Sequence, residues 1–115
     1  MITDPHFKSA TAYICPEDSS MGAVLSSMVR FLFAQAVLEH DGVFVHASCV
    51  SMEGKSYLFL GKSGTGKSTH ARQWLQAFTE CRLLNDDNPA LMIEDGKVMV
   101  YGTPWSGKTS CYKNE

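Results

Sequence analysis

Nine consecutive residues in the second half of the chain read Gly61-Lys62-Ser63-Gly64-Thr65-Gly66-Lys67-Ser68-Thr69. They fit, at every fixed position, the pattern G-x-x-x-x-G-K-[ST] of loops that bind nucleotide phosphates. Glycines let the backbone approach a ligand closely, and its N–H groups then form an anion-binding nest at the start of a helix. Lys67 can reach the β- and γ-phosphates, and the Ser68 hydroxyl can bind Mg²⁺. We therefore expect all nine residues to bind ATP, or another nucleoside triphosphate, together with Mg²⁺.

The residues on either side of this motif predict a strand before it and a helix after it. Residues 56–60 form a short apolar run rich in strand formers. After the motif, Ala71, Trp74, Leu75 and Phe78 recur at the spacing of one helix face. A Gly/Ser surface turn is the alternative, but the order of strand, glycine loop and helix favours a phosphate site.

Composition sets the general class of the protein. A chain of 115 residues, 44% hydrophobic and with a net charge of −2, suits one α/β domain with one core. No block of Lys and Arg marks a surface for nucleic acid or anionic membrane, so we expect neither as a partner.

The cysteines predict a cytoplasmic protein with free thiols. Cys15, Cys49, Cys81 and Cys111 are scattered and form no C-x-x-C pair. His46 and Cys49 lack the second pair of ligands that structural zinc needs. Charged and polar residues precede the first apolar run, which is unlike a signal peptide.

Residues 1–42 predict a strand followed by a scaffold helix. The strand is expected over residues 10–15, and Ser19 or Ser20 can cap a long helix that ends at Asp41-Gly42. The helix is apolar enough to be considered as a membrane span. Its Arg30, Gln35 and two serines favour a helix buried in a soluble protein instead.

Residues 43–50 predict a strand that contains His46. Alternation places His46 on the same face as Phe44, Ser48 and Val50. A histidine in an apolar strand is more often a core residue than a functional one. Gly54 lies in a predicted turn, so this strand is expected to pair antiparallel with residues 56–60.

A cluster of polar residues follows the next predicted strand, at residues 81–84. It reads Asn85-Asp86-Asp87-Asn88-Pro89. A strand that delivers a carboxylate beside a phosphate-binding loop is a common way to hold Mg²⁺, and the second acid could serve the attacking group. The alternative is an ordinary turn, which uses the same residue types.

A hairpin and a second motif match complete the chain. Apolar residues 90–93 and 98–101 flank an Asp-Gly turn. Residues 102–109 again satisfy G-x-x-x-x-G-K-[ST]. We interpret them as a loop, because Pro104 removes a backbone donor and no apolar helix face follows. Lys108 either approaches an anion or lies in a solvated turn.

From about Val43 onward, the sequence resembles the HPr kinase/phosphorylase catalytic domain and, more distantly, ATP-dependent phosphoenolpyruvate carboxykinase. The resemblance lies in three segments: Val45-His46-Ala47-Ser48, the loop from Gly61 to Ser68, and Leu84-Asn85-Asp86-Asp87 shortly after it. Trp74, Asn88-Pro89 and the stretch from Tyr101 to Lys108 resemble an uncharacterised bacterial branch.

The resemblance implies an α/β fold with a mixed sheet, in which the phosphate loop follows one strand and the domain continues beyond residue 115. It implies that His46 lies near the γ-phosphate and the metal. By the chemistry of the loop, Lys67 would neutralise the charge that develops on the transferred phosphoryl group. Asp86 and Asp87 would divide the roles of catalytic base and metal ligand, and Ser68 would also hold the metal. HPr kinases carry a glutamate where this chain has Thr69.

These features predict an ATP- and Mg²⁺-dependent phosphotransferase that acts on a hydroxyl, either of a protein serine or of a small molecule. A homo-oligomer is compatible with this interpretation. One alternative is carboxykinase-type chemistry on a small organic acid. The other is a regulatory module that binds the nucleotide and transfers nothing.

Overall fold

The computed structural model describes residues 1–17 and 19–107. The chain divides into two compact units, one of residues Met1–Val43 and one that begins at Phe44. The sequence motifs from His46 onward therefore belong to the second unit. The predictions for Lys108, Thr109 and Cys111 lie outside the described residues.

The first unit contains two short strands and one long helix. β1 (Ile2–Thr3) pairs antiparallel with β2 (Ala10–Thr11). The strand predicted over residues 10–15 is shorter than expected, because β1 offers only two residues for pairing. α1 (Met21–Leu38) forms where it was predicted, with Ser20 at its N-cap position.

The expectation that α1 is buried is wrong for the part of the chain that the structure describes. Val37 is its one buried residue, whereas Leu25, Phe31 and Leu38 are among its exposed large apolar side chains. An apolar helix is buried only when a second layer packs on it, and two-residue strands cannot provide one. By length and hydropathy α1 is a candidate membrane span, but core helices and signal sequences share that property.

A three-stranded sheet and a helix form the centre of the second unit. β4 (Ala47–Met52) lies between β5 (Lys55–Leu60) and β6 (Arg82–Asn85), and it is antiparallel to both. Glu53 and Gly54 join β4 to β5 with φ angles of 52° and 73°, as a tight hairpin turn requires. The predicted antiparallel pairing of these strands is confirmed.

A second sheet has the order β3-β7-β8. It consists of β3 (Gly42–Phe44), β7 (Ala90–Glu94) and β8 (Lys97–Tyr101). The predicted Asp-Gly hairpin is confirmed as β7 and β8. The strand predicted over residues 43–50 is divided, because β3 and β4 belong to different sheets and His46 lies between them.

α2 (Lys67–Ala77) covers the sheet of β4, β5 and β6. Ala71 is buried with Val50 and Cys81, and Trp74 and Leu75 pack against this cluster. These three helix residues confirm the predicted apolar face. Phe78, at the end of the helix, remains 45% exposed.

The α/β class is confirmed, with two helices and small antiparallel sheets among the described residues. The single mixed sheet does not form in this part of the chain. Each strand pair with a defined register is antiparallel.

The structure predicts different reactivities for two thiols. Burial raises the pKa of the Cys49 thiol to about 12, whereas Cys15 is exposed. Since the thiolate is the nucleophile, iodoacetamide at about pH 8 should alkylate Cys15 more than about 100-fold faster than Cys49. Mass spectrometry of the digested protein reads each cysteine separately. Equal rates in the folded protein would contradict the buried position of Cys49.

Candidate functional site

β4 brings the glycine loop and the acidic turn to one end of the same sheet. On one side Ala47 pairs with Leu60, the last residue before the loop. On the other side the Ala47 N–H donates to the carbonyl oxygen of Asp87 at 2.9 Å. Because both neighbours of β4 are antiparallel to it, their C-terminal ends meet at its N-terminal end.

A register shift in β4 and β6 decides which side chains meet. Cys49 pairs with Asn85, but Val50 pairs with Leu83, so one residue of β6 is extra at this point. A one-residue shift exchanges the faces of a strand. Beyond the shift, the Ser48 hydroxyl donates to Asp86 Oδ1 at 2.6 Å.

His46 contacts the second acid of the pair. Its Nδ1 lies 3.1 Å from Asp87 Oδ1, and the histidine side chain is 50% exposed. His46 is therefore not a core residue, although alternation in an apolar strand favoured that interpretation. Each aspartate has its own partner from the β4 side of the site.

The glycine loop turns sharply between β5 and α2. Gly64 and Gly66 have φ angles of 82° and 92°, which favour glycine. The Thr65 hydroxyl donates to the Lys62 carbonyl at 2.7 Å. A Cβ at Gly61 would lie 2.7 Å from this hydroxyl oxygen, so the loop is closed too tightly there for a side chain.

Lys67 and the start of α2 supply positive charge to the loop. The Lys67 ammonium donates to the carbonyl oxygens of Gly61 at 2.8 Å and Lys62 at 2.9 Å. Gly66 occupies the N-cap position, where a side chain would otherwise bond the first N–H groups of the helix. Those N–H groups can donate hydrogen bonds to an anion instead.

Buried Asn85 holds the acidic turn in shape. Its Oδ1 accepts hydrogen bonds from the N–H groups of Asp87 and Asn88, both at 2.9 Å. Its Nδ2 donates to the carbonyl oxygen of Thr103 at 3.1 Å. Sequence reasoning assigned Asn85 only to a turn. An Asn side chain often accepts a hydrogen bond from the backbone N–H two residues further along the chain, so the residue type was a signal for this geometry.

The described part of the second motif match, residues 102–107, supports the acidic turn. Thr103 and Ser106 are buried, and the Thr103 hydroxyl donates to the Asn88 carbonyl at 2.6 Å. No helix begins within these residues. A solvated turn is therefore wrong for this part, and its Thr103 side chain holds the acidic turn.

Most of the predicted site residues line one cavity of about 440 Å³, here called the acidic cavity. Its lining comprises His46, Ser63, Gly64, Gly66, Lys67, Ser68, Thr69, Arg72, Asp86, Asp87 and Gly107. Gly61 and Thr65 line a neighbouring cavity instead, and Lys62 contributes the carbonyl that Lys67 binds. The glycine loop, His46 and the acid pair therefore line one cavity.

Sequence reasoning missed two residues of this lining, Arg72 and Gly107. Arg72 is exposed and follows Ser68 by one helical turn, a spacing that could have indicated a shared face. Gly107 has a φ of 68°, and a Cβ there would lie 3.4 Å from the Asp86 carbonyl oxygen.

The donor set suits a metal that a nucleotide helps to bind. Among the described residues, no group of three or more His, Cys, Asp or Glu side chains forms a metal site by itself. Mg²⁺ bound to nucleotides typically uses one or two carboxylates together with phosphate oxygens. Asp86, Asp87 and Ser68 offer oxygen donors of this kind in one cavity.

Comparisons with protein-family models, with curated proteins and with solved structures find no match to this chain.

Proposed function

We propose that this chain is an ATP- and Mg²⁺-dependent phosphotransferase of the HPr kinase-like type, which moves the γ-phosphoryl group to a hydroxyl. The observation that supports this most directly is the shared cavity. A glycine loop with a lysine and two adjacent carboxylates face the same space. Phosphoryl transfer mainly requires positioning and charge neutralisation, and these residues can supply both.

In this proposal the loop binds the phosphates. The N–H groups of the loop and of the first turn of α2 donate hydrogen bonds to the phosphate oxygens. Lys67 exchanges its bonds to the Gly61 and Lys62 carbonyls for the β- and γ-phosphates, and it neutralises charge that develops during transfer. Ser68 and one aspartate would hold Mg²⁺, which would further neutralise the phosphate charge.

The other aspartate accepts the proton of the acceptor hydroxyl. The hydroxyl oxygen forms a bond to the γ-phosphorus, and the bond from that phosphorus to the β–γ bridging oxygen breaks. The products are a phosphate ester and ADP. Ser48 and His46 orient the two carboxylates through their contacts to Asp86 and Asp87.

The finer fold and the cellular context belong to the same proposal. The arrangement of loop and acid pair around β4 supports the C-terminal domain fold of HPr kinases. We propose that the acceptor is a protein serine or a small alcohol, that the protein acts in the cytoplasm, and that it needs neither nucleic acid nor membrane.

Incubation with γ-labelled ATP, Mg²⁺ and candidate acceptors tests the proposed reaction. The candidates are serine-containing proteins and small hydroxy compounds, with the matching serine-to-alanine protein as control. We expect acid-stable label on the hydroxyl acceptor, because phosphate esters survive acid and acyl phosphates do not. Tight ATP binding without transfer to any acceptor would favour the regulatory module instead.

A further inference from the structure

A second cavity, also of about 440 Å³, adjoins the glycine loop on another side. We call it the strand cavity, because Leu58, Phe59 and Leu60 of β5 contribute to its lining. Gly66 and Lys67 line both cavities. The two spaces therefore meet at the centre of the phosphate motif.

The strand cavity differs from the acidic cavity in charge. Within the described residues, Lys67 and His70 are its only ionisable lining residues, and no carboxylate lines it. Leu60 is 67% exposed beside it, so an apolar side chain is open to a ligand there. Small-molecule sites combine apolar surface of this kind with a few placed polar groups.

An aromatic pair forms one wall of the strand cavity. The His70 imidazole is stacked on the Phe59 ring, with centroids 4.4 Å apart and planes inclined by 15°. Phe59 packs against the core, so it holds the exposed imidazole in a fixed plane. A flat ring held in this way is a suitable surface for another flat ring.

We propose that the strand cavity binds the nucleobase of the nucleotide, with His70 as the stacking residue. This proposal rests on the proposed function. The γ-phosphate must face Asp86 and Asp87, so the acidic cavity also has to hold the acceptor hydroxyl. A nucleobase in that cavity would compete with the acceptor for space, whereas the strand cavity is free of that conflict.

The strand edge offers polar contacts for the same base. Within the described residues, β5 lies at the edge of its sheet and pairs with β4 alone. The backbone groups of an edge strand that point outward remain open for hydrogen bonds. They can bind the polar edge of a base that lies against His70.

Titration calorimetry with two ligands, Mg²⁺-ATP and Mg²⁺-triphosphate, tests this site. Inorganic triphosphate carries the phosphates without the nucleoside. His70→Ala should weaken ATP binding about tenfold, the effect of one lost base–aromatic stack, and leave triphosphate binding unchanged. His70→Phe should retain the affinity for ATP. Gln76→Ala, an exposed change on the same helix outside both cavities, is the matched control.

Three results would overturn the proposal. His70→Ala could leave ATP binding unchanged, or it could weaken triphosphate and ATP equally, which would indicate a damaged loop. Wild-type protein could bind triphosphate as tightly as ATP, which would mean that the base makes no contact. If wild-type protein bound neither ligand, the phosphate site itself would be wrong, and the base site would fail with it.

Discussion

A Lys67→Ala variant is expected to bind Mg²⁺-ATP about 10- to 100-fold more weakly than the wild type, because a charge-assisted hydrogen bond contributes about 1.5–3 kcal/mol. Phosphoryl transfer should fall further, by about 10²–10³-fold, since Lys67 also faces charge that develops in the transition state. Calorimetry measures the first effect and the rate of labelled transfer measures the second. Lys67→Met should behave like Lys67→Ala, because it keeps the aliphatic stem without the charge.

The structure requires one precaution in this test. The Lys67 ammonium bonds two loop carbonyls, so its loss could also loosen the loop. Thermal unfolding of each variant distinguishes a local loss of charge from a loss of fold. Lys97→Ala removes an exposed lysine at the start of β8 and is the charge-matched control. Unchanged ATP affinity in a folded Lys67→Ala protein would contradict the phosphate site.

The acid pair should separate into two phenotypes. One of Asp86→Asn and Asp87→Asn is expected to keep its affinity for Mg²⁺-ATP and lose about 10²–10⁴ in the transfer rate, the usual cost of losing a general base. The other should weaken Mg²⁺-ATP binding itself. Binding and transfer are measured for both variants. If both transfer phosphate at the wild-type rate, the pair is only a turn and the proposed reaction loses its main support.

The contacts of the two acids give a second test of the role of each aspartate. Ser48→Ala removes the hydroxyl that donates to Asp86, and His46→Ala removes the imidazole beside Asp87. Each should reproduce, in weaker form, the phenotype of its own aspartate. A Ser48→Ala protein that resembled Asp87→Asn would contradict the observed pairing of side chains.

Local sequence patterns were sufficient for most of the elements near the loop. The apolar spacing of Ala71, Trp74 and Leu75 predicted α2 and the face that it buries. Asp95 and Gly96 predicted the turn between β7 and β8, because glycine tolerates the positive φ that such turns need. These features depend on residues close together in the chain, so a single sequence contains the information.

The exposure of α1 could not be predicted from the residues of the helix itself. Its apolar residues correctly indicated a helix over Met21–Leu38, but its described side chains are mostly exposed. Periodicity reports the conformation of a segment, whereas burial depends on which other segments pack on it. In the described part of Met1–Val43, β1 and β2 have two residues each, too few to form a second layer over the helix.

The candidate site also depends partly on local sequence and partly on tertiary structure. Residue types and spacing alone identified the glycine loop and the acid pair as candidates. Their common position follows from β4, which pairs with β5 on one side and with β6 on the other. The register shift at Cys49 and Val50 then sets Ser48 against Asp86, and His46 lies against Asp87. Strand order and register are set by long-range pairing, which no pattern in a single segment encodes.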